Sequence, residues 1–407
     1  MSEVVSKTAS ASTLTRADEF TGILPGQAIR EMVKDGDIVG SLLRPIEPDQ
    51  IQPASIDLRL GDFAYPVDTS FLPGKDLTVL EKLKRLDSDV ESVKLDLSKG
   101  NVLEKGRIYV IPLLETVNLP TSELTAFSNP KSSTGRLDIL TRLLADRATH
   151  FDQLEERYRG GLYLEVAPRS FSVVVRTGTR LNQLRFSRTR GEGAKAIPAA
   201  DWNQLLDEGQ IVHPVPADRK RGILPFTIDL EGSRTEGEVL GYRAKKYAKR
   251  IDLDRRDYDP LEFWEPIMFH KSSPLILVPD EFYILMTREA LAVPPDYAAE
   301  MMPYDTRAGE FRVHYAGFFD PGFGWDLKTK RAGSSRGVLE VRSHEVPFLL
   351  EHGQTVGWLR YERMAARPDM LYGGVGSNYQ GQGLQLSKHF AQLLSKQFGQ
   401  IRSTGVM

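Results

Sequence analysis

The chain has 407 residues, 41% hydrophobic and 27% charged, with a net charge of −2 and no cysteine. That length exceeds one ordinary core and predicts two domains. The charge balance excludes a globally basic nucleic-acid or membrane-surface binder, so any anion site is local. The missing cysteine excludes disulfides, thiol nucleophiles, iron–sulfur clusters and cysteine-based zinc sites, and it fits a reducing, cytoplasmic setting. No apolar run approaches the roughly 18 residues that a membrane-spanning helix needs.

Residues 1–20 are Ser/Thr-rich without an apolar signal core and read as a flexible tail. The stretch AIREMVKDG (28–36) predicts a short helix, with Ile29, Met32 and Val33 on one face and Gly36 as its cap. Alternating runs such as RIYVIPL, FSVVVRTG, LNQLRF, LILVP, FYILMT and VPFLLEHG follow, bounded by Gly, Pro and Asp. Many short strands at close spacing predict a mostly β barrel or sandwich with few short helices. Near the end, LSKHFAQLLSKQFG (386–399) spaces Phe390, Leu393, Leu394 and Phe398 like one apolar helical face.

Much of this pattern occurs twice. Tyr109 and Tyr283, Pro120 and Pro294, and Gly135 and Gly309 all lie 174 residues apart. Glu165 and Glu340, Gly178 and Gly353, and Arg185 and Arg360 lie 175 apart. A sustained offset predicts two homologous domains in tandem, at 21–190 and 220–365. Residues 191–219 read as a linker, and 366–407 as a lid and helix belonging to the second copy alone.

The copies diverge where chemistry is expected. The first has Lys131-Ser132-Ser133-Thr134-Gly135-Arg136, and the second has Asp305-Thr306-Arg307-Ala308-Gly309-Glu310. A Lys, an Arg, two serine hydroxyls and a Gly fit a phosphate cradle, whereas acids at both ends repel a polyphosphate. A plain surface loop is the blander reading, and it leaves the difference between the copies unexplained. Glu165 and Glu340 alternate with apolar neighbours. If such a Glu faces a dry pocket, burial raises its pKa and suits it to moving protons. The tail GSNYQGQG (376–383) offers Tyr379 for stacking and Gln382 for hydrogen bonding.

These residues resemble a known family. IQPASIDLRLG (51–61), KSSTGR (131–136), HYAGFFDPGFG with GVLEV (314–341), HGQTVGWLRYE (352–362) and NYQGQG (378–383) are together similar to the dCTP deaminases, of the dUTPase-like fold, in a long tandem form. The resemblance implies two dUTPase-like β-barrel or jelly-roll domains and hydrolytic deamination of dCTP to dUTP with release of ammonia. It implies a triphosphate held by Lys131, Ser132, Ser133 and Arg136, with Ser132 and Arg136 also shaping the reacting centre. By the same resemblance Asp320 is expected to contact the nucleoside, the main chain of Val338 and Leu339 to meet the pyrimidine, and Glu340 to be the general base. Tyr379 and Gln382 close the site, although Asn378 stands where a Lys is common. The resemblance further implies no zinc, Mg2+ carried by the nucleotide, and a homo-oligomer with sites between domains or subunits.

Two placements of the base stay open. A composite site takes its cradle from copy one and its base from copy two. The alternative keeps everything in copy one, with Glu165 as the base, helped by Asp146 or Asp152. Rival functions are a dUTPase, an enzyme performing both steps, and a non-catalytic nucleotide-binding regulator. The basic excursion LKTKRAGSSRG (327–337) reads as a plain loop.

Overall fold

In this computed structural model the structure describes residues 21–190, 196–216, 220–235, 238–270, 274–303, 311–314, 317–343, 345–374 and 379–391. Copy two's counterpart of the cradle, Asp305 to Glu310, and Asn378 lie outside them.

Among the described residues strands far outnumber helices. In the first domain α1 (Gly26–Lys34) precedes β1 (Ile56–Arg59) and β2 (Phe63–Val67). There follow α2 (Val79–Leu86), β3 (Ile108–Asn118), β4 (Leu124–Pro130) and the single turn α3 (Ser132–Gly135). β5 (Ile139–Ala145), β6 (Arg159–Pro168) and β7 (Arg180–Arg188) complete it. The second domain has α4 (Ala199–Asp207), β8 (Ile223–Thr227), β9 (Val239–Ala244) and β10 (Phe282–Leu291). It continues with β11 (Tyr297–Pro303), β12 (Phe311–His314), β13 (Arg336–Ser343) and β14 (Thr355–Arg363).

The two copies share one topology. One sheet runs β2-β3-β6-β5 in the first domain and β9-β10-β13-β12 in the second. The opposing sheet runs β1-β7-β4 and β8-β14-β11. Register is kept as well: Glu165 sits opposite Val110, and Glu340 opposite Ile284.

Two regions differ from the sequence expectation. Residues 199–213 were expected as linker but carry α4 and a two-residue strand, Val212–His213. Trp202, Leu205 and Leu206 share a helical face and bury in the second core, so packing makes this segment part of that domain. The expected helix at 386–399 is irregular over its described part, 386–391. There Phe390 bridges to Tyr258 and packs on Phe263 and Trp264, with ring centroids at 5.5 and 6.0 Å. Docking an aromatic into a preformed cluster outweighs a weak helical periodicity.

The domains meet as a core rather than as a wet interface. One hydrophobic cluster joins Leu164, Phe171 and Val173 of the first domain to Ile251, Phe263, Trp264 and Val338 of the second. Ile251–Asp252 adds a parallel strand to Val173–Val175, and Asp252 takes a bidentate grip from Arg176 at 2.6 and 2.8 Å. Strand alternation aims β13 at both sides: Leu339 and Val341 bury in the second domain's core, while Val338 packs into the cluster shared with the first domain. Arg342 on that same shared face binds Asp138 of the first domain.

Candidate active site

One cavity of about 730 Å³ opens where β13 faces the first domain, a size that suits a nucleotide. Lys131, Ser132, Ser133 and Arg136 line it from one domain, and Asp320, Val338, Glu340, Tyr379 and Gln382 from the other. Both halves come from a single chain. Leu339 is absent from the lining. Its side chain belongs to the second core, which leaves only its main chain for a ligand.

The cradle is held by its neighbours. The chain leaves β4 at Pro130 and turns at once, with Thr134 N and Gly135 N donating to Lys131 O at 2.8 and 3.0 Å. Thr134 Oγ1 donates to Leu181 O at 2.7 Å, which ties the turn to β7. Ser132 is exposed at the cavity and Ser133 buried. Lys131 pairs with Asp57, a residue of the first motif.

Arg136 is the hub. Buried at 2% exposure, it donates to Gln382 Oε1 at 2.8 Å and to Gln385 O at 2.9 Å. Its guanidinium lies 3.9 Å from the centre of the Tyr379 ring, a cation–π contact. Arg136 Nε stands 3.9 Å from Glu340 Oε1, a through-space pair rather than a hydrogen bond.

Glu340 is 5% exposed. Burial pushes its carboxyl up to about 8, and Arg136 only partly offsets this. The dry setting outweighs the cation because no hydrogen bond joins the two. Asp320 begins the turn Asp-Pro-Gly, closed by Phe323 N donating to Asp320 O at 3.0 Å. Gly322 there has φ +97°, and a side chain on it would meet Tyr372 N at 2.9 Å, so only glycine fits. Burial raises the carboxyl of Asp320 although Arg185, of the first domain, donates to it at 2.9 Å.

Glu165 does not line the cavity. It is 1% exposed and accepts from Arg142 Nε at 2.8 Å. Arg142 also donates to Ser70 at 2.7 Å and stacks on Phe151. The segment around α2 covers this face, burying Phe71, Val79, Leu83 and Val90 against Val110, Leu144 and Tyr163. The suggested helpers are equally committed. Asp146 accepts from Val79 N at 2.8 Å, and Asp152, raised to about 7 by burial, accepts from Leu143 N at 2.7 Å. Within the excursion, Arg331–Ala332 pairs back on Trp325–Asp326 in a small hairpin and Arg336–Gly337 opens β13, and none of residues 327–337 lines the cavity.

Sequence reasoning missed Asp57 as a wall residue, and it missed Arg180, Arg256 and Lys388, which also line the cavity. Arg180 follows the Gly178 turn that both copies keep; Arg256 and Lys388 carry no local signal.

A duplicated β fold whose domains converge on a cationic cradle and a buried carboxylate defines an enzyme built to handle a nucleotide. Residues 20–190 match the N-terminal domain, and residues 199–390 the C-terminal domain, of 2′-deoxycytidine 5′-triphosphate deaminase. A solved 2′-deoxycytidine 5′-triphosphate deaminase from Agrobacterium tumefaciens is 47% identical, with a TM-score of 0.77, over 86% of this chain and 99% of that one. The chain belongs to the dCTP deaminase family. Among curated relatives, a dUMP-forming dCTP deaminase from Methanosphaera stadtmanae is 29% identical over 46% of this chain and 90% of its own length. Another, from Persephonella marina, is 34% identical over 29% of this chain and 59% of its own.

Proposed function

We propose that the cavity deaminates dCTP to dUTP by hydrolysis, with Glu340 as the proton-transferring group. The observation that carries this reading is the convergence of Glu340, on the second domain, with the Arg136 hub of the first domain's cradle. Glu340 takes a proton from water, and the water oxygen bonds to C4 of the cytosine. Glu340 then returns the proton to the exocyclic nitrogen, the C4–N bond breaks, ammonia leaves, and the C4 hydroxyl settles as the carbonyl of dUTP. A carboxyl raised to about 8 is a stronger base than an ordinary one and still a competent acid toward the amine.

Lys131, Ser132, Ser133 and Arg136 orient the triphosphate and the reacting centre, and Asp320 faces the nucleoside. The main chain of Val338 and Leu339 meets the pyrimidine, while Tyr379 and Gln382 hold Arg136 in place. Among the described residues no group of three or more His, Asp or Glu is placed to hold a metal ion. Magnesium enters with the triphosphate as part of the substrate. Self-association into a homo-oligomer is a further expectation of ours, checked by light scattering.

A second reading comes from the relatives named dUMP-forming: the same site could also split dUTP to dUMP and pyrophosphate. Incubation of the pure chain with dCTP and Mg2+, resolving dCTP, dUTP, dUMP, ammonia and pyrophosphate, decides. Ammonia with dUTP supports the deaminase alone, and dUMP with pyrophosphate supports both steps. No ammonia would overturn the proposal.

A further inference from the structure

Arg136 and Glu340 face each other across the domain boundary in an arrangement that is unfavourable to keep. Arg136 Nε is buried without a hydrogen-bond partner, and Glu340 Oε1 stands 3.9 Å from it. A buried guanidinium and a carboxylate this close gain by closing to a charge-assisted bond of about 2.8 Å. A buried donor left without a partner is costly.

Two residues further along both segments, a second pair spans the same boundary with its charges reversed. Asp138 of the first domain binds Arg342 of β13, and both side chains are buried. Arg342 Nε donates to both Asp138 oxygens at 3.2 Å, and its Nη2 donates to Asp138 Oδ2. The same Nη2 donates to Ser170 Oγ at 3.2 Å, and Nη1 to Asp280 O at 2.6 Å. Ser170 Oγ in turn donates to Asp138 Oδ2 at 2.6 Å. The backbone is fixed as well: Asp138 N donates to Gly135 O at 2.8 Å, and Arg169 N to Asp138 O at 2.9 Å. Asp138 has φ +57°, a left-handed value that a residue with a side chain keeps only where its surroundings demand it. Alternate residues of a strand share a face, so Glu340 and Arg342 rise from one side of β13 about 6.6 Å apart. The first copy lacks the arginine. At the 175-residue offset Ala167 stands in its place, and there Glu165 has closed onto a guanidinium, that of Arg142, at 2.8 Å.

We propose that Asp138 and Arg342 are positioning residues: their pair pins the exit of the cradle to β13 and so holds Glu340 off Arg136, leaving the carboxyl unclamped and able to take and return a proton. The inference rests on Glu340 as the proton-transferring group of the function proposed above. Neither residue lines the cavity, so both act through Arg136 and Glu340 rather than on a substrate. The charged or titratable groups around Glu340 are Arg136 and Asp138 of the first domain, Asp320 on the cavity wall, Arg342 on its own strand and His314, its register partner on β12. Loss of the Arg342 charge alone would push the Glu340 carboxyl higher, whereas closure of the gap onto Arg136 would pull it down. The two effects have opposite signs, which makes Arg342 the place to test.

The test is the pH profile of ammonia release from dCTP by the full chain, with kcat and KM separated. Infrared difference spectra of the Glu340 carboxyl without substrate, referenced to Glu340→Gln, are recorded beside it. Arg342→Met should lower both midpoints from about 8 to below about 7. It should cut kcat on the alkaline plateau about tenfold, with KM for dCTP changed less than about twofold, because the base is weaker and the cradle intact. Arg342→Lys keeps the charge and should return the midpoints most of the way. Arg342→Met leaves a buried carboxylate without its cation, so Ser170→Ala is measured as well. It removes one hydrogen bond to Asp138 and should move the midpoints the same way by less. Variants that melt earlier with both midpoints unmoved would make the pair a packing feature, and midpoints that rise would make it a source of charge alone; either result overturns the proposal. No ammonia from the unsubstituted chain, with the infrared midpoint still falling in Arg342→Met, would sink the deaminase and leave the spacing of Glu340 as inferred. Ammonia release with unmoved midpoints in every variant would sink this inference alone.

Discussion

Glu165 and Glu340 occupy the same position of the same strand in two copies of one fold, and their surroundings are opposite. Glu340 faces a cavity with its nearest cation at 3.9 Å, while Glu165 is clamped by Arg142 under a lid built from residues around α2. A carboxylate paired with a guanidinium through Oε1 and covered by packed side chains is shut off from the cavity, although its Oε2 carries no hydrogen bond. In the proposed mechanism the two copies divide the work, with the cradle on the first domain and Glu340 on the second.

The sharpest way to break this contrast is at Glu340. Glu340→Gln keeps the shape and removes the base, so the rate of ammonia release should fall on the order of a thousandfold, while binding of dCTP persists. Asp320→Ala leaves the buried Arg185 without its carboxylate and should cost about 3 kcal/mol of stability in urea titrations. Gln382→Ala removes the acceptor that holds Arg136 and should lower kcat/KM about tenfold, read by steady-state turnover.

The smallest effect is a pH dependence. The folded chain binds a proton at Glu340 up to about pH 8, where the unfolded chain has already released it. The stability this gives is full below the ordinary carboxylate range and is lost as pH rises through about 8. Glu340→Gln should therefore melt above the unsubstituted protein at pH 9, with the gap closing as pH falls. In turnover the sign reverses: kcat/KM should climb with pH, reach half its plateau near 8 and level off above that, because the base form is the active one.

Much of this was legible in the chain. The offsets of 174 and 175 located both domains because a shared fold needs the same turn and core residues at the same places. The cradle was legible because its polar residues are contiguous. The plug over Glu165 was harder, although Thr78 and Glu81 form a capping box that marks α2. Nothing local says that a helix will cover one particular strand. Lys388 and Arg256 were invisible for the same reason, since they reach the cavity from distant segments set by aromatic packing and strand pairing. The Phe390 stripe misled because its partners, Phe263 and Trp264, lie more than a hundred residues away in sequence.

The most direct test of the composite site is ammonia release from dCTP by Glu340→Gln and Glu165→Gln side by side, each first shown to be folded by circular dichroism. Glu165→Gln loosens the Arg142 clamp and should lose about 1–3 kcal/mol of stability while keeping turnover within about twofold; Glu340→Gln should be folded and inactive. Loss of turnover in Glu165→Gln with full activity in Glu340→Gln would contradict the account and place the chemistry in the first domain.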